Sequence, residues 1–212
     1  PAQELGLVPI QQRGNRRARH AAVLALAAAV SLPAGAVRYE GQDFLDTLQL
    51  GGSTLVLNGT GKRQVAIYPL YLAALYVPQK AATPEAIYAQ PGPKRLEMRI
   101  VIPLVKDVST QEFVKAIDKG VRRNSTEAEK AAVAERVKQF NAAISEVGRV
   151  KKGDLLVIDY LPAQGGTVLT VNGKTWGKPI EGQDFYTAFL KVFLGDKNSD
   201  AHLRAGLLGQ AG

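Results

Sequence analysis

From residue 37 onward the apolar positions change period several times, and each change marks an element. Ser53 to Asn58 alternates around Leu55 and Leu57, a two-residue period that predicts a strand. Asn58-Gly59-Thr60-Gly61 then supplies turn chemistry. Val65 to Val77 is apolar at odd and even positions alike, which predicts a strand covered on both faces and central in its sheet. Pro69 has no N–H to give a ladder, so a bulge or break is expected there. Lys94 to Ile102 places Leu96, Met98, Ile100 and Ile102 on one side of a further strand.

The period next becomes helical. Two capping boxes, Ser109 with Glu112 and Thr126 with Glu129, announce two helices, because a hydroxyl and a later carboxylate can satisfy free amides of a first turn. The second carries Val133, Val137, Phe140, Ile144 and Val147 at spacings of 4, 3, 4 and 3, an amphipathic stripe that Gly148 closes. Asp154 to Leu161 and Thr167 to Asn172 read as strands joined through Pro162 and Gly165-Gly166. A short strand through Thr175 and Trp176 follows the Asn172-Gly173 turn, then a helix marked by Phe185, Phe189, Val192 and Phe193 and a shorter one over Asp200 to Leu208. Strands, helices, strands and helices in that order predict an α+β domain, with a large, mostly antiparallel sheet and a layer of helices on one face.

Composition narrows the rest. The chain has 212 residues, 46% of them hydrophobic, enough for one cored domain and against global disorder. The absence of cysteine excludes thiol nucleophiles, zinc ribbons and iron–sulfur clusters. The net charge of +8 invites a nucleic-acid reading, but no segment interleaves aromatics with Arg or Lys as a base-stacking platform does. Residues 13 to 36 have the layout of a secretory signal: Arg13, Arg16, Arg17 and Arg19, an apolar run from Ala21 to Leu32, and the ending Ala34-Gly35-Ala36. The run of about twelve residues is short of the ~20 that span a bilayer, so export to a periplasm is expected over anchoring. Residues 1–36 are thus expected to be an N-terminal extension and signal peptide, the first twelve an upstream extension or mis-set start, and 37–212 the functional domain.

Few residues carry chemistry. After the leader His202 is the sole histidine, no Gly-x-Ser-x-Gly elbow supplies a nucleophile, and the carboxylates are scattered, so neither a triad nor a metal site is expected. Gly61-Lys62-Arg63 and Gly173-Lys174-Thr175 both miss the phosphate-loop spacing, and no cofactor is implied. Arg63 remains. It follows a glycine-rich segment and enters an uncharged apolar strand, where an unpaired cation is costly. A protein carboxylate or the anionic group of a ligand should neutralise it, or its head should reach water from the strand start. Tyr68, Tyr71 and Tyr76 could share a ligand's polar end or fill core. Arg63 and Tyr71 lie eight residues apart, about 26 Å along an unbroken strand. They can hold one small group only if the chain bends, for which Pro69 is the candidate, unless they contact different ends of a long ligand.

Leu57-Asn58-Gly59-Thr60-Gly61-Lys62-Arg63, Tyr71 to Tyr76, Lys94-Arg95-Leu96, Gly153-Asp154, Gly166-Thr167, Val171-Asn172-Gly173 and Ile180 to Gly195 together resemble the bacterial chalcone isomerase-like family over nearly all of residues 37 to 209. The resemblance implies an open-faced β-sandwich with a large antiparallel sheet and a helical layer. It implies that Arg63 is the arginine that stabilises a phenolate in catalytic plant members, and that non-catalytic members use with a tyrosine to bind fatty acids. It also places Tyr71 where plant enzymes carry a cleft threonine, Val108 or Ser109 where they carry a catalytic tyrosine, and Thr175 at a second cleft threonine. An intact arginine with altered partners implies a retained pocket and lost or changed catalysis. The expectation is an exported protein that binds a fatty acid or phenolic acid in an apolar cleft through Arg63, Tyr71, Tyr76 and Thr175. The alternatives are a chalcone-type isomerase with Arg63 catalytic, and an envelope scaffold without a small ligand.

Overall fold

The computed structural model describes residues 35–102, 107–198 and 200–210; the signal-like segment and the proposed extension lie outside them, apart from Gly35 and Ala36. In chain order the elements are β1 (Ala36–Tyr39), β2 (Gln42–Leu45), β3 (Thr47–Leu50), β4 (Ser53–Val65), β5 (Tyr68–Val77), α1 (Pro84–Ala89), β6 (Lys94–Ile100), β7 (Val108–Ser109), α2 (Gln111–Asn124), α3 (Glu127–Val147), β8 (Arg149–Val150), β9 (Leu155–Leu161), β10 (Gly166–Val171), β11 (Lys174–Ile180), α4 (Gln183–Leu194) and α5 (Ala201–Leu207). Seven strands form one sheet in the order β11-β10-β9-β6-β5-β4-β3, antiparallel at every pairing. The fold is the expected α+β arrangement, a large antiparallel sheet with a helical layer.

Side-chain parity decides which residues meet the helices. Tyr71, Ala73, Leu75, Leu96, Met98 and Ile100 point to one face, where they bury against α2 to α5. Leu72, Ala74 and Tyr76 point to the other, beneath Phe44 of β2 and Leu55 and Leu57 of β4. The α3 stripe behaves as its period demands: Val133, Phe140 and Ile144 are buried, and Phe140 packs on Phe185 and Phe189 at ring centroid distances of 5.8 and 5.3 Å. The Thr126–Glu129 capping box forms, with Glu129 N to Thr126 Oγ1 at 3.2 Å and Thr126 N to Glu129 Oε2 at 2.9 Å.

Three local expectations fail. Residues 58–61 are not a turn; β4 runs through them with an irregularity between Leu57 and Gly59. The strand expected from Val65 starts only at Tyr68, because the chain reverses at Ala66-Ile67, with Val65 pairing with Tyr68 across a two-residue loop; the irregularity expected at Pro69 is present, the register shifting between the Arg63–Tyr71 and Gln64–Pro69 pairs. Glu112 does not cap α2; it pairs with Lys115 at 2.8 Å, and Ser109 Oγ accepts from Gln111 N at 3.3 Å in a local turn. The short elements β1 to β3, α1, β7 and β8 were not anticipated from periodicity. For α1 a signal existed, because Thr83 caps it and Pro84 opens it.

Candidate ligand-binding cleft

The glycines of Asn58-Gly59-Thr60-Gly61 serve contact. A Cβ on Gly59 would lie 2.1 Å from the Gly206 carbonyl oxygen, and one on Gly61 would lie 2.7 Å from that of Leu203, so their hydrogens are what let the α5 backbone rest on β4. Asn58, itself buried, donates Nδ2–H to the Leu207 carbonyl at 2.7 Å and accepts the Ala81 N–H at 2.8 Å. At the other end of α5, Asp200 caps the first turn, its Oδ1 accepting from Leu203 N at 2.9 Å. The segment therefore docks the C-terminal helix, and that helix completes one wall of a cleft.

The cleft lies between the sheet and α2, α4 and α5 and has a volume of about 340 Å³. Its interior is apolar: Leu70, Met98, Ile100 and Ile158 from the sheet face Phe113, Ile117 and Phe189 from the helices. Gly120 sets how closely α2 approaches α4, since a Cβ there would meet Val192 Cγ1 at 2.6 Å. Two polar side chains enter from the β4–β5 hairpin. Arg63 and Tyr71 are direct cross-strand partners on the helix-facing side, so the reversal at Ala66-Ile67 closes the eight-residue separation that a straight strand would have imposed. Tyr71 is buried beside Phe113 at 6.3 Å between centroids. Burial pushes its phenol well up, with the Arg63 charge pulling the other way, so it stays a neutral donor through the physiological range. Among the described residues no hydrogen-bond partner takes its hydroxyl.

A protein carboxylate does face Arg63. Its Nη1 lies 3.2 Å from Asp200 Oδ2, with both side chains partly screened from water. That contact is single, and the carboxylate is also the α5 cap. A guanidinium has five N–H donors, and the other four find no acceptor among the described residues. Asp200 thus holds the Arg63 head at the cleft wall and leaves most of its donor fork unused.

A family model described as chalcone isomerase-like matches residues 36–209. The chain belongs to the chalcone isomerase-like family. Its fold matches the crystal structure of the Arabidopsis thaliana fatty-acid binding protein AtFAP1, with a TM-score of 0.60 over 82% of this chain and 96% of that one, at 12% sequence identity. No curated protein matches it by sequence.

Within this chalcone isomerase-like chain the four expected ligand contacts separate. Arg63 and Tyr71 share the cleft. Tyr76 does not reach it: five residues beyond Tyr71, it has the opposite parity and packs on the other face, where Glu97 and Arg99 approach it. Thr175 is exposed on β11 at the edge of the sheet, away from the cleft lining. Val108, at the position implied for a plant catalytic tyrosine, is a lining residue. Sequence reading missed Asp200 as the partner of Arg63, and it missed Lys119, Arg123 and Lys197, which line the same cleft. The spacing of Lys115, Lys119 and Arg123 by four residues was the available signal for the α2 pair.

Proposed function

We propose that this protein binds a fatty acid or a similarly slender phenolic acid in the cleft, with the acid group on Arg63 and Tyr71 and the apolar part between the sheet and α2. The observation that carries the reading is the joint placement of a guanidinium and a buried neutral phenol on the wall of an otherwise apolar cavity. A carboxylate there accepts charge-assisted hydrogen bonds from both, and the chain desolvates against Leu70, Ile100 and Phe113. The volume sits near the low end of small-molecule sites, about 300–1,000 Å³, which favours one unbranched chain or one aromatic acid over a bulky ligand. The likeness of fold to a fatty-acid binding protein agrees with a lipid ligand.

Binding without conversion is the favoured form of the proposal, because Tyr71 is held protonated and Glu112, the one carboxylic acid among the described lining residues, is exposed and paired with Lys115. Calorimetric titration of delipidated protein with dodecanoate tests it, with Arg63→Gln beside the wild type. Saturable one-to-one heat that weakens at least tenfold in the variant supports the reading. No heat in the wild type, or equal affinity in both, defeats it. Flavanone formation from a chalcone above the spontaneous rate, lost in Arg63→Gln, would replace it with the isomerase. The signal-like segment adds the proposal that binding takes place in an export compartment, which fractionation of cells expressing the full chain would test.

A further inference from the structure

The β4–β5 hairpin ends in an apolar tip that breaks two rules at once. Its two-residue loop is Ala66-Ile67 where Asn-Gly or Asp-Gly is the favoured chemistry, and Ala66 sits at φ +54°, in the left-handed region that costs a residue with a Cβ about 1–2 kcal/mol. Ile67 is 79% exposed, and Val65 and Tyr68 flanking it are each 51% exposed. Three large apolar side chains are thus presented together on a two-stranded projection. Departures from local rules at one place mark function more often than chance.

The tip belongs to the rim of the cleft, since Val65, Leu70 and Arg63 line it. The same cleft is lined by a row of cations. Lys115, Lys119 and Arg123 recur every four residues along one face of α2, all lining the cleft, and Lys197 joins them from the loop after α4. Lys115 is paired with Glu112; Lys119, Arg123 and Lys197 are in no ion pair among the described residues. An apolar wedge beside unneutralised cations is the chemistry of a protein that lies on an anionic lipid surface: apolar side chains enter the acyl boundary and Lys and Arg meet the headgroups.

We infer that the cleft rim docks on an anionic membrane, with Ile67 and Tyr68 in the headgroup–acyl boundary and Lys119, Arg123 and Lys197 on the headgroups. Two tip residues and a few cations give reversible adhesion, which suits a protein that meets a bilayer and leaves it. The inference stands on the rim alone and does not require that an acyl chain occupy the cleft.

The absence of cysteine makes the test direct. Ile67→Cys in the full chain is labelled with an environment-sensitive fluorophore, and Ala134→Cys, exposed on α3 at the far end of the sheet, is labelled as the control. Vesicles of equal phosphatidylglycerol and phosphatidylcholine should shift the emission at 67 to the blue and leave the label at 134 unchanged. Adhesion through the apolar run at 21 to 32 does not mimic this, because each label reports its own position. Lys119→Glu with Arg123→Glu should raise the lipid concentration for half response about thirtyfold or more, and pure phosphatidylcholine should give little response. An aqueous spectrum at 67 with saturating anionic vesicles overturns the inference, as does an equal response on neutral lipid. A blue shift at 67 without lipid, rising with protein concentration, would overturn it in favour of self-association.

Discussion

Whether Arg63 can serve a ligand turns on what Asp200 does to it, and Asp200→Asn separates the two roles of that carboxylate. Asparagine is as good an N-cap as aspartate, so the Leu203 N–H keeps its acceptor and α5 keeps its first turn. What disappears is the charge 3.2 Å from Arg63 Nη1. The pair is partly solvated and single, so its loss should cost about 1 kcal/mol of stability or less. The effect on binding has the opposite sign. A ligand carboxylate on the free side of the guanidinium would lie about 6 Å from Asp200, where two like charges repel by roughly 1–3 kcal/mol for an effective dielectric between about 60 and 20. Removing that repulsion should tighten dodecanoate binding about 5- to 150-fold by calorimetry, while thermal unfolding confirms an intact fold. Unchanged or weaker binding in a folded Asp200→Asn protein would refute the reasoning, and would mean that Arg63 is an internal ion-pair partner and nothing more.

Three further outcomes follow from the same structure. Tyr71→Phe should keep the fold and weaken dodecanoate about tenfold or more, the worth of one hydrogen bond to a charged group, while leaving binding of an uncharged alkane-like probe unchanged. Gly61→Ala should destabilise by about 1–3 kcal/mol in urea unfolding, because its Cβ drives against the Leu203 carbonyl at 2.7 Å and pushes α5 off β4. Lys94 is buried, donates to the Gln90 carbonyl, and burial lowers its ammonium from 10.5 to about 8. The folded state therefore binds fewer protons than the unfolded one between about pH 8 and 10.5, so the wild type should gain about 3 kcal/mol across that window. Lys94→Met should lack that rise and be more stable than wild type at pH 7 by about 1–2 kcal/mol after the lost hydrogen bond is counted.

Periodicity carried much of the fold. Leu96, Met98 and Ile100 on β6 and the Val133 to Ile144 stripe on α3 face the core as their spacing requires, and Asn172-Gly173, both at positive φ, make the hairpin their chemistry demands. The site was legible only in part, and for physical reasons. Gly59 and Gly61 look like a turn because glycine's freedom and its small size are the same property in sequence; only the α5 backbone against them distinguishes the two. Ala66-Ile67 has no turn signature, so the reversal that pairs Arg63 with Tyr71 is not legible where it occurs. Asp200 lies 137 residues from Arg63, beyond any local pattern. Tyr76 is the exception: an odd separation from Tyr71 along one strand already places the two on opposite faces.

The central claim is that an acid group rests on Arg63 inside the cleft, and the bound ligand can report this itself. Dodecanoic acid labelled with ¹³C at its carboxyl carbon, bound to the wild-type protein and titrated by NMR, should show a carboxyl that stays ionised well below the usual carboxylate range, because the guanidinium favours the charged form. In Arg63→Gln that depression should vanish. A bound carboxyl that titrates alike in both proteins, or as it does in water, would contradict the account.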